Sequence, residues 1–254
     1  MRIAILATQE RGSQMKIPVI RGVIDRRILV NYRVDPDVLS LHLPKPFRPK
    51  LFAGFGIAGI CLIRFKELRP SAMPGLFGVS SENAAHRIAV EWDEQGMTRE
   101  GVYIPRRDTF LWLNMLLGGR VFPVISHHAT FNVNEADGNY NIHISSDDGL
   151  TRVVLEAGAS SGLPPGSVFG SLEAASSFFE RGAVGYSPAD STEFHSLELR
   201  SLNWKMESLA VNRVESSFFD DPTLFPAGSA EFDCALLMRE IVHEWHAQES
   251  LRVA

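Results

Sequence analysis

Apolar and polar positions alternate with a period of two over most of this chain, and that spacing predicts strands. Residues 17–34 alternate and are rich in Ile and Val, enough for one or two strands. Asp35-Pro36-Asp37 then supplies a helix start: a carboxylate at the N-cap, Pro at the first position, an acid in the first turn. About two turns are expected before Pro44 and Pro46. Residues 48–65 form a long apolar stretch broken by Gly54, Gly56 and Gly59. A helix tolerates glycine poorly, at roughly 1 kcal/mol each, so two strands are predicted to meet near Ala53-Gly54, with Gly56 and Gly59 as bulges or tight packing points.

Further along, 67–80 reads as a loop, and 86–93 pairs with 101–104 around Glu94-Gln95-Gly96. Phe110, Leu113, Leu116 and Leu117 have helical spacing, predicting a helix over 109–117 with Asp108 as its N-cap. A meander follows over 124–133, 139–145 and 150–157, its turns at Asp137-Gly138 and Asp148-Gly149. Residues 158–170 are loop, 171–181 a helix, and 184–219 further strands. Residues 220–228 are a turn, and 231–245 a helical turn leading into a strand. No linker divides the chain. One mostly β domain over 1–254 is expected, barrel-like or sandwich-like, with 1–15 as a loose arm.

Composition narrows the function classes. A net charge of −5 and a pI near 5.9 exclude a strong basic field for nucleic acid or an anionic membrane. Five Lys against twenty Arg favour fixed ion pairs and anion contacts over proton-shuttling amines. Cys61 and Cys234 stand far apart in apolar surroundings, which reads as buried thiols in a reducing cytosol. No apolar run reaches the roughly 18–20 residues of a spanning helix, and the start is too short for a signal peptide. A cytoplasmic location follows.

The motif search yields few chemical handles. His127-His128 on a strand would point to opposite faces and cannot share one ion. His243-Glu244-Trp245-His246 has its histidines at i and i+3, where a zinc helix needs i and i+4. Gly158-Ala159-Ser160-Ser161-Gly162 matches a nucleophile elbow in letters, but Leu163-Pro164-Pro165 cannot open the helix it requires. Arg26-Arg27, Arg106-Arg107 and Arg120 are candidates for a carboxylate, since guanidinium forks suit planar anions.

Two segments carry a resemblance. Residues 28–44, ILVNYRVDPDVLSLHLP, resemble the opening of acetoacetate decarboxylase: a strand ending in Tyr-Arg, an acidic helix start, then Leu-Pro. Gly101-Val-Tyr-Ile104 through to Phe122-Pro123 is similar to that family's central segment. Ser171-Leu-Glu173, Gly228-Ser-Ala-Glu-Phe-Asp233 leading to Met238, and the closing His243-Glu-Trp245 resemble its uncharacterised YqjF-like branch. The match spans about residues 24–246. It implies a cone-shaped antiparallel β-barrel with a few short helices and an apolar cavity. In the decarboxylases a Pro precedes the Schiff-base lysine; here Val124 and Ile125 follow Pro123, and a valine cannot attack a ketone. By the same placement Glu82 falls near the cavity glutamate and Arg26 near the substrate-binding arginine.

The expected function is therefore to hold a small organic acid in an apolar cavity, with Arg26 or Arg120 on the carboxylate and Val124 in the lining. The alternative is a lyase, isomerase or hydrolase using Glu82 or His128 as general acid/base. A structural or assembly role, with the cavity filled by side chains, is the third reading. No cofactor, metal, nucleic acid or membrane is expected, and a homodimer is one assembly open to the chain.

Overall fold

The computed structural model describes residues 18–111, 125–190 and 192–253. The predicted arm, most of the helix predicted over 109–117, Arg120 and Val124 lie outside the described residues.

A single strand, β1 (Ile20–Val34), opens the fold. Asp35 caps the helix α1 (Pro36–Ser40) by accepting from the amides of Asp37 and Val38, but the helix makes little more than one turn. Short strands β2 (Arg48–Pro49) and β3 (Leu51–Phe52) lead through Ala53-Gly54, both at positive φ, into β4 (Phe55–Pro70). Strand β5 (Val79–Glu94) turns at Gln95-Gly96 into β6 (Met97–Thr109). The meander is β7 (His127–Ala136), β8 (Asn139–Ser146) and β9 (Arg152–Ser160), with left-handed Asp137, Gly138 and Gly149 in its turns. Helix α2 (Leu172–Glu180) starts where the sequence predicts, with the Ser171 hydroxyl on the Ala174 amide. Strands β10 (Val184–Pro188), β11 (Glu193–Ser201), β12 (Glu207–Ser216), β13 (Ala230–Ala247) and β14 (Leu251–Arg252) complete the chain.

Two expectations are corrected. Asp108 lies within β6, its carboxylate held by Arg106 and Thr151, and caps no helix. The helical turn predicted near 231–240 is strand throughout, in β13. There Leu237 packs in one core and Met238 in another, so both faces are apolar and the spacing imitates a helix.

All the strands among the described residues belong to one sheet, paired antiparallel except where β6 meets β7 and β10 in parallel. The sheet closes on itself twice. One ring runs β1–β4–β5–β6–β7–β8–β9–β12–β13 and back to β1; the other runs β1–β4–β5–β6–β10–β11–β13 and back. They share the wall β13–β1–β4–β5–β6. Side chains alternate across a strand, so this wall supplies both rings and must be apolar on both faces. That accounts for the near-continuous apolar run of β4, which is buried from Gly56 to Ile63. Gly59 serves the wall directly: a Cβ there would stand 2.1 Å from the Val30 carbonyl oxygen.

The first ring is filled. Ile28, Val30, Ile60, Leu62, Ile88, Ile142 and Leu155 pack across it. One end is closed by rings of Phe47, Trp92, Tyr103 and Phe194 in edge and tilted contacts. The second ring has its own smaller core, in which Phe178 and Phe179 of α2 pack with Phe169.

Candidate functional site

The second ring encloses a cavity of about 610 Å³. Small residues line it: Ala85 and Ala89 on β5, Gly101 on β6, Ala183 just before β10 and Gly185 within it. The close approach of β10 to β6 depends on Gly185, where a Cβ would stand 2.9 Å from Ile104 Cδ1 and 3.6 Å from Arg107 Nη2. Phe65, Leu68, Trp204 and Trp245 give it an aromatic and aliphatic flank. Exposed Arg200 and Glu180 mark its rim.

Three arginines project into this space: Arg27 from β1, Arg87 from β5 and Arg107 from β6. The register explains their meeting. Leu29 pairs with Cys61, Cys61 with Ala85 and Ala85 with Arg107, so these four cross the wall as one row. Arg27 and Arg87 stand two residues along from Leu29 and Ala85, on the same face.

None of the three has a carboxylate partner among the described residues. Arg27 donates to two sulfurs, Cys61 Sγ at 3.3 Å and Met238 Sδ at 3.9 Å. Arg87, 4% exposed, donates to Asn31 Oδ1, lies 4.7 Å over the Phe179 ring, and leaves its Nε unpartnered. Arg107 donates from Nε to Ser187 Oγ at 3.1 Å and leaves Nη2 buried without a partner. Burial pushes Arg87 down to about 10; Cys61 partly offsets this while the Arg27 charge adds to it. Burial likewise pushes Arg107 down to about 10, again partly offset by Cys61. Both remain cationic at neutral pH.

The carboxylates in the lining are engaged or peripheral. Asp108 is held by Arg106 at 2.8 Å, Glu198 by Arg200 at 2.7 Å, and Glu180 is exposed. Lys50 also lines the cavity, but its ammonium pairs with Glu100 at 2.5 Å and sits 4.6 Å over the Phe178 ring.

The residues singled out in the sequence divide between the two rings. Each adjacent basic pair is split by strand alternation: Arg27 and Arg107 enter the cavity, while Arg26 and Arg106 take the other face. Arg26, 1% exposed, meets Glu82 at 2.5 Å and also Glu135. Arg64 bridges the same carboxylates, at 2.5 Å to Glu82 and 2.8 Å to Glu135. This network lies on the face of the wall turned away from the cavity, and neither Arg26 nor Glu82 lines it. His128 does line it, with Nδ1 2.7 Å from Asp147 Oδ2. Arg120 and Val124 lie outside the described residues.

The other motifs fall away structurally. His243 is buried against Phe65 and Trp245, and burial pushes it down to about 4. Ser160 ends β9 and donates to the Gly162 carbonyl. No cluster of His, Cys, Asp and Glu among the described residues could hold a metal ion, and none of their helices is long and apolar enough to cross a membrane.

The model of the DUF2071 family, described as an uncharacterised conserved protein, matches residues 24–235. The chain belongs to that family. Its fold is that of acetoacetate decarboxylase-like proteins. The enzyme from Legionella pneumophila superposes with a TM-score of 0.60 at 10% identity, over 99% of this chain and 93% of the other. An acetoacetate decarboxylase-like enzyme from Sphingomonas wittichii RW1 gives 0.59 at 13% identity, over 94% of both chains. The enduracididine biosynthesis enzyme MppR, solved with pyruvate, gives 0.56 at 11% identity, over 96% and 93%. A search of curated protein sequences found no match. At these identities the structural likeness establishes the fold alone, and leaves the chemistry to this chain's own residues.

Proposed function

We propose that this member of the family binds a small, partly apolar organic acid in the cavity of the second ring. One observation carries the reading: three guanidiniums converge there without a carboxylate partner among the described residues. Buried charge left unpaired costs several kcal/mol, and an entering carboxylate would relieve that cost with charge-assisted hydrogen bonds. The apolar flank of Phe65, Leu68, Trp204 and Trp245 suits the rest of such a molecule. Schiff-base decarboxylation is not expected. Position 124 is valine, and the lysine at the cavity, Lys50, is committed to Glu100.

A catalytic reading is favoured by one specific contact. His128 lines the cavity while Asp147 holds its Nδ1, the pairing of a general base with its orienting carboxylate.

Calorimetric titration with aromatic and branched carboxylates, beside their neutral amides, tests the binding reading. Wild type is expected to take up carboxylates and not amides. Arg107→Gln is expected to weaken uptake at least tenfold, about 1.4 kcal/mol. Equal uptake of acid and amide, or an unaffected variant, would overturn the proposal.

A further inference from the structure

Cys61 has a position that anion binding alone does not use. It lies on β4 at the centre of the row linking β1 to β6, 8% exposed, with its sulfur in the lining of the cavity. Arg27 Nε donates to that sulfur at 3.3 Å. The charges of Arg87 and Arg107 are also within electrostatic reach of it. The second cysteine provides the contrast. Cys234 is fully buried, lies outside the cavity lining, and is pushed up to about 12 by burial and then by Asp233.

Two further atoms point to a ligand at the same place. Arg87 Nε and Arg107 Nη2 are buried donors without partners, on guanidiniums that line the cavity beside Cys61. This thiol shares the cavity lining with three guanidiniums, one of them in hydrogen-bond contact with it, so an anionic electrophile held by those cations would meet sulfur as its nucleophile.

We infer that Cys61 is the nucleophile of this cavity and forms a reversible covalent adduct with the carbonyl carbon of an oxo acid held by Arg27, Arg87 and Arg107. The inference rests on the proposed anion site and names its ligand class: a carboxylate with an aldehyde or ketone carbon next to it. In the step, a sulfur electron pair forms the C–S bond while the carbonyl π pair moves onto oxygen. The thiol proton leaves to water, and the new alkoxide takes one from water. The product is a hemithioacetal or hemithioketal, with no net oxidation and no co-reactant. The guanidiniums serve twice, fixing the carboxylate and facing the charge that develops on oxygen.

Competition labelling tests this. Iodoacetate places an alkylating carbon beside a carboxylate, and iodoacetamide is its neutral counterpart. In both, sulfur attacks the CH₂ carbon and iodide leaves with the bonding pair. Folded protein is treated with each, and the sites are mapped by peptide mass spectrometry. The expected result is Cys61 modified at least tenfold faster by iodoacetate than by iodoacetamide, Cys234 untouched, and millimolar glyoxylate slowing Cys61 labelling. Arg27→Gln should erase the preference for the anionic reagent. Cys61 left unmodified until the protein unfolds would overturn the inference, as would equal rates with the two reagents or no protection by glyoxylate.

Titration of Cys61→Ser with an unreactive carboxylate separates this inference from the one beneath it. Binding retained in that variant, with labelling of wild type failed, removes the covalent step and leaves the anion site standing. No carboxylate uptake by either protein removes both.

Discussion

The two rings share a wall of five strands and use it in opposite ways. In the filled ring Arg26, Arg64 and Arg106 have acid partners: Arg26 and Arg64 share Glu82 and Glu135, and Arg106 holds Asp108 and Asp148, while exposed Arg239 donates to the Tyr140 hydroxyl. In the hollow ring the arginines one position along, Arg27 and Arg107, together with Arg87, meet only sulfur, amide, hydroxyl and aromatic partners. Buried arginines with carboxylate partners close off a packed interior. An unmet donor is found in both rings, Arg26 Nε in one and Arg87 Nε and Arg107 Nη2 in the other, so the hollow ring is set apart by its missing counter-charge. The same residue type, one residue apart on the same strand, is structural on one face and available on the other.

The sharpest way to break this comparison is to remove one charge on each side. Glu82→Gln leaves Arg26 short of a counter-charge in the filled ring and is expected to cost about 3–5 kcal/mol. Arg107→Met removes a charge that has no ion pair and is expected to cost under about 1 kcal/mol, or to stabilise slightly. Urea unfolding of the two variants beside wild type measures both. Similar costs would mean that the faces do not differ as described.

The next largest effect is pH dependence. Burial holds His86 of the filled ring and His243 of the second ring down to about 4, from an ordinary 6.5. His86 packs against Phe218 and Phe219, and the Arg106 charge pushes it the same way. Below about pH 6.5 the unfolded chain takes up protons that the fold refuses. The stability tied to each imidazole is therefore complete above that pH and is lost as pH falls toward 4, to the extent of roughly 3 kcal/mol each. Urea midpoints between pH 7.5 and 4.5 should fall steeply for wild type and less so for His86→Phe. Parallel curves would show that His86 is not held neutral.

Much of the fold is legible in the sequence because its local chemistry is explicit. Asp35-Pro36 and Ser171-Leu172-Glu173 start helices, and Asp137-Gly138 and Gln95-Gly96 turn hairpins, through side-chain caps and positive φ that few residues accept. Strand β13 is legible only in its later part, where the sequence predicts a strand after a helical turn. Burial on both faces erases its alternation, and only the pairing of distant strands reveals two rings. The site is half legible for the same reason. Arg26-Arg27 and Arg106-Arg107 stand out as anion candidates, but which member faces the cavity depends on register. Arg87 carries one sequence signal, a cation inside the apolar run of β5. Cys61 carries none, because a cysteine in an apolar strand reads as core.

The central claim is that the second ring is an anion site, and crystals grown in sodium bromide test it most directly. An anomalous peak within about 4 Å of Arg107 Nη2 or Arg87 Nε, a charge-assisted hydrogen-bond contact, is predicted, with none inside the filled ring. A cavity empty of bromide, or closed by side chains across the space between those two donors, would contradict the account.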